Sequence, residues 1–454
     1  MSQAQGAAPV RLSALRSMGR ALSHRNYRLF FVGQGISLIG TWMTRVASGW
    51  LVFRLASAAG LDYAFLLGLV GFAGQVPAFF LGPFAGVLVD RWDRHRLLIV
   101  TQVLSLVQSS LLAWVAFRAE ATSTAIWHIL ALSVFQGVIN SFDMPARQVL
   151  LREMIERKED LPNAIALNSS LVNGARLVGP SVAGILIALT GEAWCFVVDA
   201  VSYVAVVLAL LAMKIPRRDQ PLQAAPLGRH LAEGFRYAFG FAPIRALLLL
   251  SALISCMGMP YSVLLPIFAA DVLQGGPDAL GFLTGASGVG ALAGALYLAS
   301  RRTVLGLGRV IVLATLVFGL ALVGFGLSRT LWLSLLLMLA TGFGMMVQLA
   351  ATNTILQTIA DEDKRGRVMS FYSMAFLGMA PFGSLLAGLL AGRIGAPNTV
   401  LIGGVACVVG GIAFALNLPR IRSLVRPIYS RLGIVPEVAT GMQSASELTR
   451  PPAD

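Results

Sequence analysis

"GVLVDRWDRHR", residues 86–96, sets five charged side chains (Asp90, Arg91, Asp93, Arg94 and Arg96) between two long apolar runs, 63–89 and 97–118. Each run has the roughly 20 residues that an α-helix needs to cross the hydrocarbon layer of a bilayer. A short charged segment held between two such runs reads as a turn at a membrane surface. Ten further runs extend the pattern along the chain, at roughly 28–54, 125–146, 163–189, 194–213, 246–272, 279–299, 309–328, 331–353, 367–391 and 397–418. The sequence therefore predicts an all-α integral membrane protein with twelve spans.

Composition points the same way. Only 12% of the 454 residues are charged and 57% are hydrophobic, whereas a soluble domain carries about 25% charged residues. An ordinary soluble enzyme is excluded. The first run continues into Arg45 and Trp50, too long for the apolar core of a signal peptide, and is read as a span. Cys195, Cys256 and Cys407 all fall in apolar runs without metal-like spacing, and the four histidines are scattered. No metal and no cofactor is expected.

The net charge of +14 invites a nucleic-acid reading, and its distribution refutes it. With both termini cytoplasmic, outer turns hold Arg54, Arg118, Arg329 and Arg393, and the spans hold Arg45 and Arg176. The other 29 of the 35 basic residues fall on the inner side. This is the bias that orients membrane proteins, so the partner is the bilayer and no nucleic acid is expected. A multi-pass inner or plasma membrane protein, acting as a monomer, is the expectation.

The connection 214–245 divides the spans six and six. A cytoplasmic segment 1–27, a six-helix domain 28–213, the linker 214–245, a second six-helix domain 246–418 and a cytoplasmic tail 419–454 follow. In the linker Leu227, Leu231, Phe235 and Phe239 share one helical face, which suits a helix lying on the membrane surface. "GPSVAG" at 179–184, in the fifth span, is echoed by "GSLLAG" at 383–388 in the eleventh. Parallel repeats related by an axis along the membrane normal are a transporter design.

Within lipid, polar residues at helical spacing mark the faces turned away from the bilayer. The first span carries Gln34, Ser37, Thr41, Arg45 and Ser48, and the fourth Ser133, Gln136, Asn140, Asp143 and Arg147. The seventh carries Ser251, Ser255 and Ser262, and the tenth Ser334, Thr341, Gln348 and Thr352. A central cavity lined by spans one, four, seven and ten accounts for these stripes. The alternative is that small polar residues join helix to helix.

The opening stretch resembles the loop signature of the major facilitator superfamily, G-x-x-x-D-(R/K)-x-G-R-(R/K). Gly86, Asp90, Arg91 and Arg94 stand in their slots, and Asp93 replaces the second glycine. Asp93 also suits the N-cap of the third span. "HRNYRLFFVGQGISLIGTWMTRVASGWLV", "FDMPARQ", "LPNAIALNSSLVNGARLVGPSVAG" and "NTILQTIADEDKRGRVMSFYSMAFLG" resemble the branch that includes the enterobactin exporter and macrolide-efflux proteins. Gly179, Pro180 and Gly184 resemble the fifth-span antiporter motif G-P-x-x-G-G, with Ala183 in place of one glycine. The resemblance implies two pseudo-symmetric six-helix domains around a cavity, opened to each side in turn.

Proton-coupled export of a small amphiphilic molecule, a drug or a siderophore, is the function it implies; a lipid or lysolipid translocator and a non-transporting scaffold are the alternatives. No nucleotide-binding G-x-x-x-x-G-K-(S/T) occurs, which argues against direct ATP drive. Asp143 and Asp199 are the acids well inside spans and so the proton candidates. Four arrangements are expected. Arg94 bridges Asp90 and Asp143 in a relay that, by the resemblance, ties the second span to the eleventh. Arg45 pairs with Asp199 if their spans adjoin, which makes Asp199 structural rather than the carrier of the proton. Pro180 and Gly184, four apart, face the other domain, as do Ser384 and Gly388, while Gly179 relieves the proline bend. Arg176, at mid-span, faces the cavity or a partner, where it forms a structural salt bridge, binds an anionic substrate group or tunes a proton site.

Overall fold

The computed structural model describes residues 19–118, 123–214, 236–301 and 303–434, apart from the side chains of residues 83, 86, 87, 90 and 91. Helices dominate, and no strand occurs among the described residues. Eleven helices there are long and apolar enough to cross a membrane, and a further helix precedes them. That first helix, α1 (Arg25–Ala58), carries the polar series from Gln34 to Ser48 that lowers its hydropathy. α2 is broken in two (Tyr63–Ala73 and Val76–Arg91), and α3 (Arg94–Arg118), α4 (Ser123–Glu153), α5 (Leu161–Thr190) and α6 (Glu192–Ala212) complete the first half.

The second half begins with α7 (Ala242–Leu253 and Tyr261–Ile267, each followed by a π turn). α8 (Pro277–Ala299), α9 (Leu307–Leu327), α10 (Leu331–Ile359), the broken α11 (Arg365–Leu377 and Ala380–Ile394) and α12 (Ala396–Arg431) follow. Proline lies at each interruption: Pro77 and Pro381 just past the breaks, Pro260 and Pro266 beside the π turns. Proline lacks the donor that an unbroken ladder needs. Pro180 and Pro145, in contrast, sit inside continuous helices. α12 runs thirteen residues past the expected boundary at 418, through Pro419 and Pro427. What ended at 418 was the apolar pattern; the helix itself continues with Arg420, Arg422 and Arg426. In the linker, 236–240 is helical, while Leu227, Leu231 and Phe235 lie outside the described residues.

The helices run up and down, so the bundle has a terminal end, where α1 starts and α12 finishes, and a far end. Asp93 caps α3 at the terminal end, accepting from the backbone N–H groups of His95 (3.1 Å) and Arg96 (3.2 Å). There too His24 meets Asp160 at 3.1 Å, and the Tyr27 hydroxyl donates to the Ala164 carbonyl at 2.8 Å. These tie the start of α1 to the start of α5. In the second half the Tyr237 hydroxyl donates to Asp361 at 3.0 Å under the Lys364 ammonium, and burial raises the pKa of this phenol above its ordinary value. At the far end Arg54 of α1 holds Glu192 of α6 through two parallel bonds of 2.7 and 3.2 Å.

Packing follows the small residues. Without a hydrophobic drive between helices in lipid, close approach of backbones supplies the attraction. α8 crosses α10 so tightly that a Cβ on Gly290 would fall on the Leu339 carbonyl, and one on Gly342 on the Ser287 carbonyl. Gly290→Ala is therefore expected to cost about 1–3 kcal/mol and lower the melting temperature of the purified protein. Gly174→Ala, with nothing within 4 Å, leaves it unchanged. Equal melting temperatures for the two variants would contradict this packing.

Candidate functional site: the seams and the polar interior

Two seams join the halves. α5 packs on α8 and α2 packs on α11, with lesser contacts of α7 on α1 and α2. A Cβ on Gly184 would stand 2.7 Å from the Pro277 carbonyl oxygen and 2.9 Å from Gly281 Cα; one on Gly281 would stand 2.7 Å from the Pro180 carbonyl oxygen. The other seam repeats this. A Cβ on Gly388 would stand 2.8 Å from both the Ala64 carbonyl oxygen and Gly68 Cα, and one on Gly68 2.6 Å from the Ser384 carbonyl oxygen. Gly184 corresponds to Gly388 and Gly281 to Gly68, so the sequence echo 179–184/383–388 is matched in register by a structural one. Both crossings lie in the far half of their helices. The Tyr63 hydroxyl also donates across the halves to Asp271, at 2.9 Å. Gly68, Gly281 and Tyr63 drew no attention in the sequence, since the chain has 47 glycines and nothing local marks which ones meet.

Gly179 belongs elsewhere. A Cβ there would lie 2.6 Å from Trp42 Cβ and 2.9 Å from the Ile39 carbonyl oxygen, so this glycine admits α1. Relief of the proline bend is not what its surroundings require.

The polar stripes divide into two kinds. In the first half Thr41, Arg45 and Asn140 are exposed and Gln136 half-buried, although all lie along membrane-spanning helices. Gln136 donates to Asn140 at 3.1 Å. Gln34 and Ser37 are buried. In the second half the stripe of α10 is wholly buried: Ser334 meets Ser328, Thr341 donates to its own helix at Leu337, and Gln348 donates to Thr352. Ser251 and Ser255 of α7 are buried as well, and Ser255 donates to the Phe376 carbonyl of α11. The expected cavity lining from Gln348 and the α10 series is thus corrected. Those residues are buried under α8 and α9, and Thr341 and Gln348 bond within their own helix.

Asp199 of α6 is 1% exposed. Thr44 of α1 and Ser109 of α3 each donate to its Oδ2 at 2.8 Å, and its Oδ1 has no hydrogen-bond partner among the described residues. The expected pairing with Arg45 does not occur. α1 and α6 do adjoin, but Thr44 rather than Arg45 is the residue turned towards Asp199, and one residue along a helix is a rotation of about 100°. Arg45 instead places its guanidinium 4.8 Å from the centre of the Trp42 indole, and Arg176 sits 5.6 Å from the same ring.

The terminal end holds a second polar group. Asp143 receives Arg147 (2.5 Å), Gln102 (2.7 Å) and Thr101 (2.9 Å). Arg94 meets Glu153 at 2.5 Å, so the expected bridge from Arg94 to Asp143 is replaced by two separate ion pairs. Glu153 escaped the sequence reading because it lies beyond the apolar run at the end of α4. The side chains of Asp90 and Arg91, and whatever stands at Gly86, lie outside the described residues. Among the described residues no group of three or more histidines, cysteines and carboxylates is placed to hold a metal.

Residues 17–432 match the family described as transmembrane secretion effectors. The chain belongs to that family, a branch of the major facilitator transporters. Among curated relatives, the staphyloferrin A transporter of Staphylococcus aureus is 25% identical over 84% of this chain and 93% of its own. The multidrug efflux pump Tap of Mycolicibacterium fortuitum is 28% identical, over 85% and 93%. Macrolide efflux protein A of Streptococcus pyogenes is 24% identical, over 84% and 94%. A solved POT family transporter shares the fold at TM-score 0.69 and 11% identity, over 87% of this chain and 96% of that one. This family member is therefore a multi-pass membrane transporter.

Asp143, 7% exposed, depends on its cation. Arg147→Met strands a buried carboxylate and is expected to cost about 3–5 kcal/mol, read as loss of thermal stability in detergent. Asp143→Asn added to that variant should restore most of it. A single variant as stable as the parent would show that the pair carries no such weight.

Proposed function

We propose that this transporter is a proton-coupled exporter that moves a small amphiphilic molecule, a drug or a siderophore, by alternating access. It releases the molecule unchanged, and both of its termini face the cytoplasm. The carrying observation is the pair of matched glycine crossings. They fasten the halves together in the far half of the bundle, which we read as closure of that end, while mid-span polar residues of α1 and α4 stay exposed. A bundle closed at one end with a polar interior is what one half of an alternating-access cycle requires. The basic residues gathered at the terminal end support its cytoplasmic placement, and the printed names of the relatives support efflux.

The crossings are then gates. Two glycine backbones in contact need no side chain to rearrange when they part, so separation is cheap. Gly184→Val wedges α5 from α8 and should abolish net export into inverted membrane vesicles with an imposed proton gradient, while substrate still binds. Normal export by this variant, or binding lost as fully as in Gln136→Ala, would end the gating role.

Of the two buried acids, Asp199 is assigned the coupling proton, against the expectation of a structural role, because the Arg45 pair on which that role rested is not formed. Asp143 already has an arginine, whose charge a bound proton would leave uncompensated. Asp199 has hydroxyl partners, which donate to a carboxylate and can equally accept from a carboxylic acid, so its shell suits both forms. Asp199→Asn should fold and exchange substrate down its gradient yet fail to concentrate it when a proton gradient is imposed. Proton-driven accumulation at the parent rate would remove Asp199 from the coupling.

A further inference from the structure

The two arginines at mid-span are unexplained by packing. Arg176 lies about 20 Å from either end of α5, and Arg45 about 20 Å from the far end of α1, at 1.5 Å per residue. A charge at such depth is costly and is kept for a pathway or a partner. Among the described residues neither arginine has a carboxylate within salt-bridge distance. Both approach the same indole, that of Trp42. Two like charges gathered on one ring repel, so the arrangement calls for an anion that no described residue supplies.

Their placement says where that anion would sit. Residues four apart share a helix face. Four residues beyond Arg45, a Cβ on Gly49 would stand 3.5 Å from Pro266 of α7, in the other half. Four residues beyond Arg176 is Pro180, whose carbonyl meets Gly281 of α8. Each arginine therefore stands one turn on the terminal side of a contact between the halves, on the face turned to the opposite half. Arg45 is exposed there and Arg176 half-buried. Together they form the roof of the interior that the seams close.

We propose that Arg45, Arg176 and Trp42 are the recognition site for a carboxylate-bearing aromatic or amphiphilic organic anion, which is the transported class. The inference rests on the transport reading for the fate of the ligand, though not for its binding. Guanidinium groups take carboxylates through paired N–H donors, and the reduced dielectric away from bulk water strengthens the attraction. Trp42 supplies an apolar surface and holds both cations in place through its ring. The class is discriminated by charge, since an organic cation of the same shape would face two unpaired positive groups.

The test uses two xanthene dyes of similar size, anionic fluorescein and cationic rhodamine 123, whose carboxyl is blocked as its methyl ester, with the purified full-length protein in detergent and fluorescence anisotropy as the readout. Fluorescein is expected to bind at least tenfold more tightly, to weaken with added salt and to be displaced by citrate. Arg45→Gln and Arg176→Gln should each weaken it tenfold or more, while Arg45→Lys and Arg176→Lys keep most of the binding. Equal binding of the two dyes, no binding of fluorescein, or glutamine variants that bind as the parent does would overturn the proposal. So would displacement by lysophosphatidylglycerol without displacement by citrate, which would give the arginines to lipid. Should the glutamine variants not fold, the charge preference and citrate displacement of the parent protein decide. Reconstituted vesicles separate the two readings. Arginine-dependent binding without proton-driven movement of fluorescein would leave the site and remove the transport reading; movement indifferent to both arginines would do the reverse.

Discussion

Two helix backbones touch only where neither carries a side chain, and the closure of this bundle depends on two such contacts. Gly184 meets Gly281, and Gly388 meets Gly68, in matching register on opposite sides of the far end. Any larger residue at these four positions would collide with a carbonyl oxygen or an α-carbon, which cannot swing aside as a side chain can. The constraint fixes how α5 lies on α8 and how α2 lies on α11, and so where the interior ends. A joint made this way has few rotamers to lose and few to recover. It closes firmly without interlocking, which suits surfaces that part and meet repeatedly.

The same scarcity of side-chain room explains what the sequence made legible and what it hid. The run of spans was readable because lipid imposes length and apolarity on every crossing. The seam residues of α5 and α11 were readable because the motif recurs six spans later. Their partners were not: Gly68 and Gly281 have no local mark among 47 glycines, and only the docking of one half on the other selects them. Polar stripes were readable as non-lipid faces but not as cavity or joint. Thr41, Arg45 and Asn140 are exposed, whereas Ser334, Thr341 and Gln348, equally periodic, are sealed under α8 and α9. Periodicity reports which way a face does not point; the neighbour decides what it meets.

Asp199 and Arg45 show the limit most sharply. Their depths allow a pair, and their helices are neighbours, yet the carboxylate is held by Thr44 and Ser109 and the arginine by Trp42. The rotation between Thr44 and Arg45 separates a buried, hydroxyl-lined acid from a cation open to the interior. Had the two paired, each would have neutralised the other. Kept apart, they leave room for the two roles proposed above, a proton for the acid and an anion for the cation.

The arrangement also joins recognition to closure. Arg176 sits where α8 presses on α5: a Cβ on Gly288 would lie 3.0 Å from the Arg176 carbonyl oxygen. The backbone that presents this guanidinium is thus part of the seam, four residues from Pro180. Separation of α5 from α8 would withdraw α8 from that backbone and alter the wall around the cation. An anion held by Arg45 and Arg176 therefore interacts differently with the closed and the opened bundle. Only such a difference lets a ligand bias one form over the other. On these proposals it needs no relay of side chains between site and gate, because the helix that carries Arg176 carries Pro180 a turn away.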